Sequence, residues 1–519
     1  MDRTFFGYYE AELDHLRNVA MEFAALNQPV ANALLLQSAK DPCPDPYVER
    51  LLEGVAFLAA RTRMKLDYEG SRHVRALLEA LYPDLAAPGP AVGMVQLKPG
   101  DNVATMRDGH LVARAAPLSA TSSDLIATRA IYLTAQPVHL WPVRVAEAEY
   151  LGDPGAIGAL GGTGRLPAGT EAGIRVVIER TGEGAMSDLT LDALDLYLGN
   201  DTLGRDLTDA LLGWGRTAFA RPAEKDATFR PIGAPGSVGF GDDEAMLPRV
   251  RGSFEGYRLL REYFLLPERF NYLRLTGLRP IVSAATGRSV EVVIPFARER
   301  RGLIGLKAAN FEPFVTPIVN LYERECNLVD VDPRRSSQIV HVNATRPNDF
   351  EIYRLISVTD ADREGEAARL HDLYALDRRG EQNFVYSTDR RPRRPNHDEV
   401  VKGQMRTPEY PGDDFFISVA RPPGAKGTQA VRRLNIRALV TNRDLPIANS
   451  APRLSFDRGD PVGAVILRRP LTPPRKSLAA GLPKAARDAR DADDITWRWI
   501  AQLSLSQVSM AEDGTAPLR

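Results

Sequence analysis

Cysteine is almost missing from this 519-residue chain: Cys43 and Cys326 are the only two, far apart in sequence. That excludes a disulfide framework and the paired spacing of a zinc site, and it fits a reducing cytoplasm. Lysine is scarce too, nine of the 66 basic side chains, the rest being arginine. Arginine's planar fork favours bidentate pairing at interfaces, but genomic base composition accounts for such an excess equally well. The 66 basic side chains nearly cancel the 67 acidic ones, so no whole-protein field draws the chain to nucleic acid or to an anionic membrane. Long apolar runs are absent. Ala31 to Leu36, already interrupted by Asn32, falls far short of the ~20 residues needed to span a bilayer. The opening Met1-Asp2-Arg3-Thr4-Phe5-Phe6 leads into Glu10, Glu12, Asp14 and Arg17, without the apolar core of a signal peptide. The expectation is a cytoplasmic protein with no direct membrane insertion.

The usual signatures of catalysis are missing as well. No Gly-x-x-x-x-Gly-Lys-Ser/Thr occurs, and the glycines around Gly158, Gly161, Gly162 and Gly164 lack a following lysine. Gly236-Ser237-Val238-Gly239 resembles part of a nucleophile elbow, but Pro235 stands where the first glycine belongs. The histidines at 15, 73, 110, 139, 341, 371 and 397 show neither His-x-His nor His-Glu-x-x-His spacing. Acidic pairs such as Asp242-Asp243 and Asp493-Asp494 read as solvated or capping carboxylates. No catalytic residue, cofactor or metal is expected.

What the sequence does contain is organised in blocks. Tyr9, Leu13, Leu16, Ala20 and Phe23 recur at alternating spacings of four and three between residues 8 and 26, with the charges mostly off that stripe. Such spacing forms the seam of a helical bundle, closed either by this chain's own helices or by a second protein. Asp45-Pro46 reads as an N-cap with proline in the first helical position. Val48, Leu51, Val55 and Leu58 predict a second helix to about Leu66, and Val74, Leu77, Leu78 and Leu81 a third, stopped at Pro83. After Pro90, short β-branched and aromatic runs predict strands at Val92 to Leu97, Ala130 to Leu133, Gly173 to Ile178 and Leu191 to Leu198. Helices are expected at Leu203 to Leu212 and Tyr257 to Leu266. Loops are expected at Gly152 to Gly164 and from Arg390 to Pro395, and the latter, lacking interleaved aromatics, reads as a solvated loop rather than a phosphate contact. Strand-rich stretches resume from Val290 to Val358 and from Phe415 to Val440, and Trp497, Trp499, Ile500, Leu503 and Leu505 announce a last apolar element.

The predicted fold class is therefore α+β: an N-terminal helical module over residues 1–88, then mainly antiparallel β-rich domains over 89–290 and 291–467, then a linker and C-terminal segment over 468–519.

Several segments, in order along the chain, resemble the TssF (ImpG/VasA) family of type VI secretion. They begin with Tyr8-Tyr9-Glu10-Ala11-Glu12-Leu13, Asp45-Pro46-Tyr47-Val48-Glu49-Arg50-Leu51-Leu52-Glu53, Phe57-Leu58 and Leu81-Tyr82-Pro83. The middle supplies Val238-Gly239-Phe240, Phe254-Glu255-Gly256-Tyr257-Arg258-Leu259-Leu260, Glu262-Tyr263-Phe264 and Pro267-Glu268-Arg269-Phe270. Thr316-Pro317-Ile318-Val319-Asn320-Leu321-Tyr322 and Thr441-Asn442-Arg443-Asp444-Leu445-Pro446 follow. Asn442-Arg443-Asp444 suits a side-chain-bonded turn at a strand end. Near the end, Leu503-Ser504-Leu505-Ser506-Gln507 departs from a family block that usually has Asn-Tyr there, and relatives generally continue further, so a shortened C-terminal segment is expected.

The resemblance implies a structural wedge subunit, similar to wedge proteins of contractile phage-tail baseplates, docked through the baseplate to the inner-membrane complex of Gram-negative bacteria. It implies as partners TssG, a second TssF copy, TssK, TssE, the VgrG hub and the sheath, with no nucleic acid. Under it, Tyr9, Leu13, Leu16, Ala20 and Phe23 are candidates for an intermolecular bundle. The rival class is a cell-wall hydrolase carried by a contractile apparatus, and a nucleic-acid binder comes third; scattered carboxylates are all that speaks for the former.

Overall fold

The computed structural model describes residues 3–36, 38, 41–81, 83–120, 128–161, 166–224, 227–249, 255–363, 365, 368–373, 384–393, 399, 406–421, 430–456, 459–477, 498 and 501. The chain divides into two compact units, Met1–Ala86 with Ser477–Arg519, and Ala87–Lys476.

The first unit is helical. Its elements are α1 (Arg3–Leu26), α2 (Gln28–Ala33), α3 (Pro46–Leu81) and the single turn α4 (Pro83–Ala86). Proline opens α3 as the sequence suggests, with the Tyr47 N–H donating to the Asp45 carboxylate at 2.9 Å. The second and third helices expected from the spacing are one unbroken helix of 36 residues. Gly70, alone between the two periodic stretches, costs about 1 kcal/mol of helix propensity, too little by itself to break a helix of this length.

The second unit is built from sheets. A six-stranded sheet has the order Leu454–Phe456, Pro117–Ala120, Ile131–Thr134, Val315–Val319, Val92–Pro99, Val462–Leu467. A five-stranded sheet runs Arg230–Pro231, Phe219–Pro222, Ser289–Phe296, Ala172–Arg180, Val143–Leu151. Leu194–Tyr197 lies between Tyr272–Leu275 and Glu312–Pro313 in a small third sheet, and His110–Val112 pairs with Val138–Leu140. An eight-stranded sheet is centred on Arg433–Thr441 and Glu351–Asp360. Among the described ladders only Arg369–Asp372 with Val385–Pro392 is parallel, as the antiparallel expectation requires.

The central strands are buried on both faces and read as near-continuous apolar runs, Val92 to Leu97 and Val290 to Phe296. Val95, Leu97, Val290, Val292, Ile294 and Phe296 fill one large core that also takes in Leu118, Tyr132, Leu140, Leu196 and Phe311, while Val92 and Met94 join a second cluster on the other face. Glu291 interrupts the second run and is 3 % exposed. Its carboxylate is held by Arg221 at 2.5 Å and by Arg175, so the buried charge is paired on both oxygens.

Connectivity differs from the expected sequential domains. The boundary at 290 falls inside the strand Ser289–Phe296, and Val92–Pro99 pairs with strands from residues 315–319 and 462–467. The stretch after 467 continues beside that first strand: Thr472 N–H donates to Val92 O at 2.8 Å, and Arg475 and Gly89 exchange backbone hydrogen bonds at 2.9 and 2.7 Å.

Two expected loops carry structure. Asp153 caps α5 (Pro154–Ala159), its carboxylate accepting the Ala156 N–H at 2.9 Å, within the stretch expected to be a glycine-rich loop. Arg390, Arg391 and Pro392 end the strand Val385–Pro392, where Arg390 stacks on Phe415 at 4.9 Å and donates to the Ile352 carbonyl at 2.6 Å. The missing signal was across the ladder, since the aromatic partners lie on Asp413–Ala420 rather than beside the arginines. The helix expected at 203–212 is α6 (Thr202–Thr208) running into a π-helical turn, Asp209–Trp214, and that expected at 257–266 is α7 (Glu255–Leu265). The apolar element around Trp497 to Leu505 lies outside the described residues except for Arg498 and Ala501.

Candidate assembly surface

Helices α1 and α3 bury small residues and two carboxylates. Ala24, Ala56 and Ala60 are buried, as are Glu12 and Glu49. Each carboxylate meets an arginine across the pair, Glu12 with Arg63 and Glu49 with Arg17. Glu49 also accepts the Cys43 N–H at 2.7 Å. Burial alone would raise its pKa, but the Cys43 N–H and the Arg17 guanidinium outweigh it and hold the carboxyl below its ordinary value. Phe5 and Phe57 close one end edge to face, 5.3 Å apart.

Several large apolar side chains point the other way, although Leu78 near the end of α3 is fully buried. Tyr47, Leu51, Val55 and Leu58 form an outward stripe along α3, with Tyr47 87 %, Leu51 70 % and Leu58 64 % exposed. Phe6, Val19, Phe23 and Leu26 are exposed on α1. The stripe singled out from sequence is divided: Tyr9, Leu13, Leu16 and Ala20 are half-buried, and Phe23 is exposed. Burial followed by the neighbouring Glu53 pushes the Tyr9 phenol above its ordinary pKa. The α3 stripe was equally visible in the spacing of Leu51, Val55 and Leu58, but periodicity locates a stripe without saying which side of the helix finds a partner.

In the second unit, α7 repeats this inversion. Arg258, Glu262 and Leu265 face inward, whereas Leu260, Tyr263 and Phe264 are each more than half exposed. Glu262, fully buried, accepts the N–H groups of Met246 and Leu247 at 2.9 and 2.8 Å and Arg258 Nη1 at 3.0 Å, and it touches Arg269. Arg269 donates onward to the carbonyls of Gly239 and Glu244 at 2.9 and 2.7 Å. Burial first, and then the neighbouring Arg258, press its guanidinium down to about 10, still charged at neutral pH. Gly239 sits at φ 100°, a conformation that side-chain-bearing residues rarely adopt, and lies against Arg269 and Phe270. The result is a loop clamped onto α7 from beneath, with Phe240, Phe270, Tyr263 and Phe264 in ring contact on the outside at 4.9 to 6.3 Å.

The blocks around 316–322 and 441–446 meet each other. Asn442 Oδ1 accepts from Ile131 N at 3.1 Å, Asn320 Nδ2 at 2.8 Å and the Tyr322 hydroxyl at 3.2 Å, and the Asn442 N–H donates to Asn320 Oδ1 at 2.7 Å. Arg443 follows at φ 45°, its N–H donating to Thr441 Oγ1 at 3.3 Å, and Asp444 pairs with Arg406; a turn does end the strand, but the Asn442 side chain reaches across to its neighbours rather than to the turn's own backbone.

Little of this is chemistry. Gly236 bridges Arg274, with no described helix following before α7, so Ser237 is not on a strand–turn–helix elbow. Asp242 pairs with Arg249. Both cysteines are free thiols, and burial pushes that of Cys326 up to about 12. Among the described residues no group of three or more His, Cys, Asp or Glu is placed to hold a metal ion, and no helix is long and apolar enough to cross a membrane.

A family profile described as Type VI secretion system, TssF, matches residues 1–519. The Type VI secretion system component TssF1 of Pseudomonas aeruginosa strain PAO1 is 37 % identical over 526 residues, spanning 99 % of this chain and 82 % of that protein. Among solved structures, a chain of the type VI secretion system TssK-TssF-TssG baseplate subcomplex, seen by cryo-electron microscopy, aligns with a TM-score of 0.64 at 19 % identity, over 89 % of this chain and 79 % of that one. A chain of the baseplate complex from the type VI secretion system aligns at 0.47 and 20 % identity, over 91 % and 77 %.

Proposed function

Because the chain belongs to the TssF family of the type VI secretion system, we propose that it is a structural subunit of the baseplate wedge and performs no bond chemistry of its own. The observation that carries this reading is the inverted helical pair: charges and alanines inside, and an apolar stripe of Tyr47, Leu51, Val55 and Leu58 outside. A monomer gains nothing by presenting such a stripe to water, whereas a bundle completed by other chains buries it. Each fully buried leucine or valine contributes about 1.5–3 kcal/mol, enough for Leu51, Val55 and Leu58 together to hold a helix.

The partners in the bundle are TssG and a second copy of this chain, meeting α1 through Phe23 and the half-buried Tyr9, Leu13, Leu16 and Ala20, and α3 through its outward stripe. TssK joins the same wedge, and TssE, the VgrG hub and the sheath are reached through it. The aromatic face of α7 supplies a second contact on the sheet body. The work is mechanical: a wedge that holds its neighbours in one arrangement and then releases them when the sheath contracts, in the cytoplasm and docked to the inner-membrane complex.

The test is co-expression with the TssG-like and TssK-like proteins followed by affinity purification and native mass spectrometry. The expected species holds two copies of this chain per TssG. Leu51→Asp with Leu58→Asp should abolish that species while leaving a folded chain. A doubly substituted protein that still assembles, or a parent chain that stays a lone folded monomer, sinks the bundle reading. Hydrolysis of peptidoglycan by the purified chain, lost on replacing one carboxylate, would overturn the non-enzymatic role.

A further inference from the structure

The sheet body carries a further exposed apolar feature that the bundle reading does not use. It lies on the loop that follows the strand Ser289–Phe296 and on the π-helical turn that ends α6. We propose that Ile304 and Trp214, rimmed by arginine and lysine, form a docking knob for a protein partner that offers an apolar pocket edged with carboxylates.

Shape comes first. Leu303 and Leu306 are buried in the main core. Between them the chain makes a type II turn, with Ile304 at φ −64° and ψ 131°, Gly305 at φ 93°, and the Leu306 N–H donating to the Leu303 carbonyl at 3.3 Å. The turn is anchored on both sides, yet its tip, Ile304, is 69 % exposed. Turn tips ordinarily hold polar residues, and a rigid tip that presents isoleucine loses little freedom when a pocket takes it. Trp214 is placed as firmly. It closes the π-helical turn Asp209–Trp214, a distortion that is rare and frequent at functional sites. Gly215 leaves no room for a Cβ against the Leu211 carbonyl, and the Arg216 N–H donates to the Pro295 carbonyl at 3.2 Å. Arg300 stacks on the indole at 4.2 Å, with its own N–H bonded to the Tyr150 hydroxyl, and Trp214 is still 56 % exposed. A tryptophan and an arginine held in place at the surface are the residue types that dominate binding at protein interfaces.

Charge then names the partner's chemistry. The loop carries Arg298, Arg300, Arg301 and Lys307 against one carboxylate, Glu299. Glu299 is met by Arg301 at 3.5 Å, and among the described residues Arg298, Arg300 and Lys307 have no ion-pair partner. Asp206 comes close to Gly302 but pairs with none of them. In a chain whose charges otherwise nearly cancel, this is a local excess of positive charge around an apolar tip, and its complement is a pocket edged with Asp and Glu. A membrane is the poorer fit, because one isoleucine and a partly covered tryptophan bury far less apolar surface than the amphipathic helices that hold proteins to bilayers. Nucleic acid would pair with the cations and stack on Trp214 but leave Ile304 without a partner.

The site is independent of the helical bundle, and its test uses the full chain in cells with the secretion machine. A photo-crosslinking residue at Glu299 keeps every cation and both apolar side chains in place. The expected product is a crosslink to a protein segment that holds at least two Asp or Glu. Its yield should fall at least roughly tenfold with Ile304→Asp, and likewise with Arg298→Glu plus Lys307→Glu, all exposed positions, at an unchanged melting temperature. Replacing the partner's mapped carboxylates by lysine should restore the crosslink to the charge-reversed chain. A crosslink to a segment without carboxylates, to lipid or to nucleic acid, or no crosslink, overturns the proposal. So does a yield that either variant leaves unchanged, or a charge exchange that restores nothing. Cosedimentation of the purified chain with vesicles of phosphatidylglycerol and phosphatidylethanolamine, lost on Ile304→Asp, would assign the knob to a membrane and overturn it as well.

Discussion

The helical pair and the sheet body place their charged and apolar side chains in opposite ways. In the body, apolar residues such as Val92, Ile294 and Phe296 are inside and the one charge of the central strand, Glu291, is met by two arginines. Between α1 and α3 alanines and the carboxylates of the pairs Glu12–Arg63 and Glu49–Arg17 are buried, while Tyr47, Leu51, Leu58 and Phe23 face out and, of the leucines, Leu78 is buried. A buried ion pair adds little net stability over well-packed apolar residues, but it fixes register and relative orientation. The body is thus a finished object, whereas the helical pair leaves an apolar surface open, the feature on which the proposed bundle rests. The helix α7 shows that the second pattern also occurs within the body, on one surface.

This contrast can be broken at several depths. The largest stability loss is expected from Glu262→Ala, which strands Arg258 and Arg269 in a fully buried place: about 3–5 kcal/mol by denaturant unfolding. A loss below ~1 kcal/mol would mean that the cluster beneath α7 is not a single network. Next is Asn442→Ala, which leaves the Ile131 N–H without its side-chain acceptor and the Asn320 amide with only the Ile131 carbonyl, and should cost about 1–3 kcal/mol by the same measurement.

Acid should act on the helical pair at a smaller scale. The Glu49 carboxyl lies below its ordinary value when folded, so its contribution is fully present above the unfolded carboxyl pKa, near 4.3, and is lost as the pH falls through the folded value. Thermal melts below about pH 4.5 should show the drop, and Glu49→Gln should flatten it. Helical stability indifferent to pH in that range would sever Glu49 from the packing of α1 on α3. Smallest of all is the effect of Leu51→Asp with Leu58→Asp on the isolated chain, within about 0.5 kcal/mol because both side chains already face water. A large destabilisation would show that the stripe is core after all, and the comparison would fail.

The sequence disclosed local structure well and long-range pairing hardly at all. The proline start of α3, the turn at Asn442-Arg443-Asp444 and the central strands follow from residue-level rules of capping, side-chain turns and β-branching. What stayed hidden depends on who lies opposite. Arg390 and Arg391 look like a solvated run until Phe415 and Phe416 are set across the ladder, where they stack at 4.9 and 4.1 Å. A domain boundary at 290 is plausible from composition, yet it cuts a strand whose partners, Ala172–Arg180 and Phe219–Pro222, both precede it. The same limit applies to the candidate surface. Spacing located the apolar positions of α1 and α3, but the choice between inward and outward depended on Ala24, Ala56 and Ala60, which are buried.

One feature of the body bears on how the protein is made. The strand Val92–Pro99 lies between partners that begin only at Val315 and Val462, and its last hydrogen bond, from Thr472, comes from 380 residues downstream. At a synthesis rate of ~5–20 residues per second, this first strand waits roughly 20–75 s on the ribosome for its final neighbour, with two apolar edges uncovered. The nascent chain is therefore expected to be a chaperone client, and ribosomes stalled before residue 467 should display a protease-sensitive body that becomes resistant only after Leu467 has emerged.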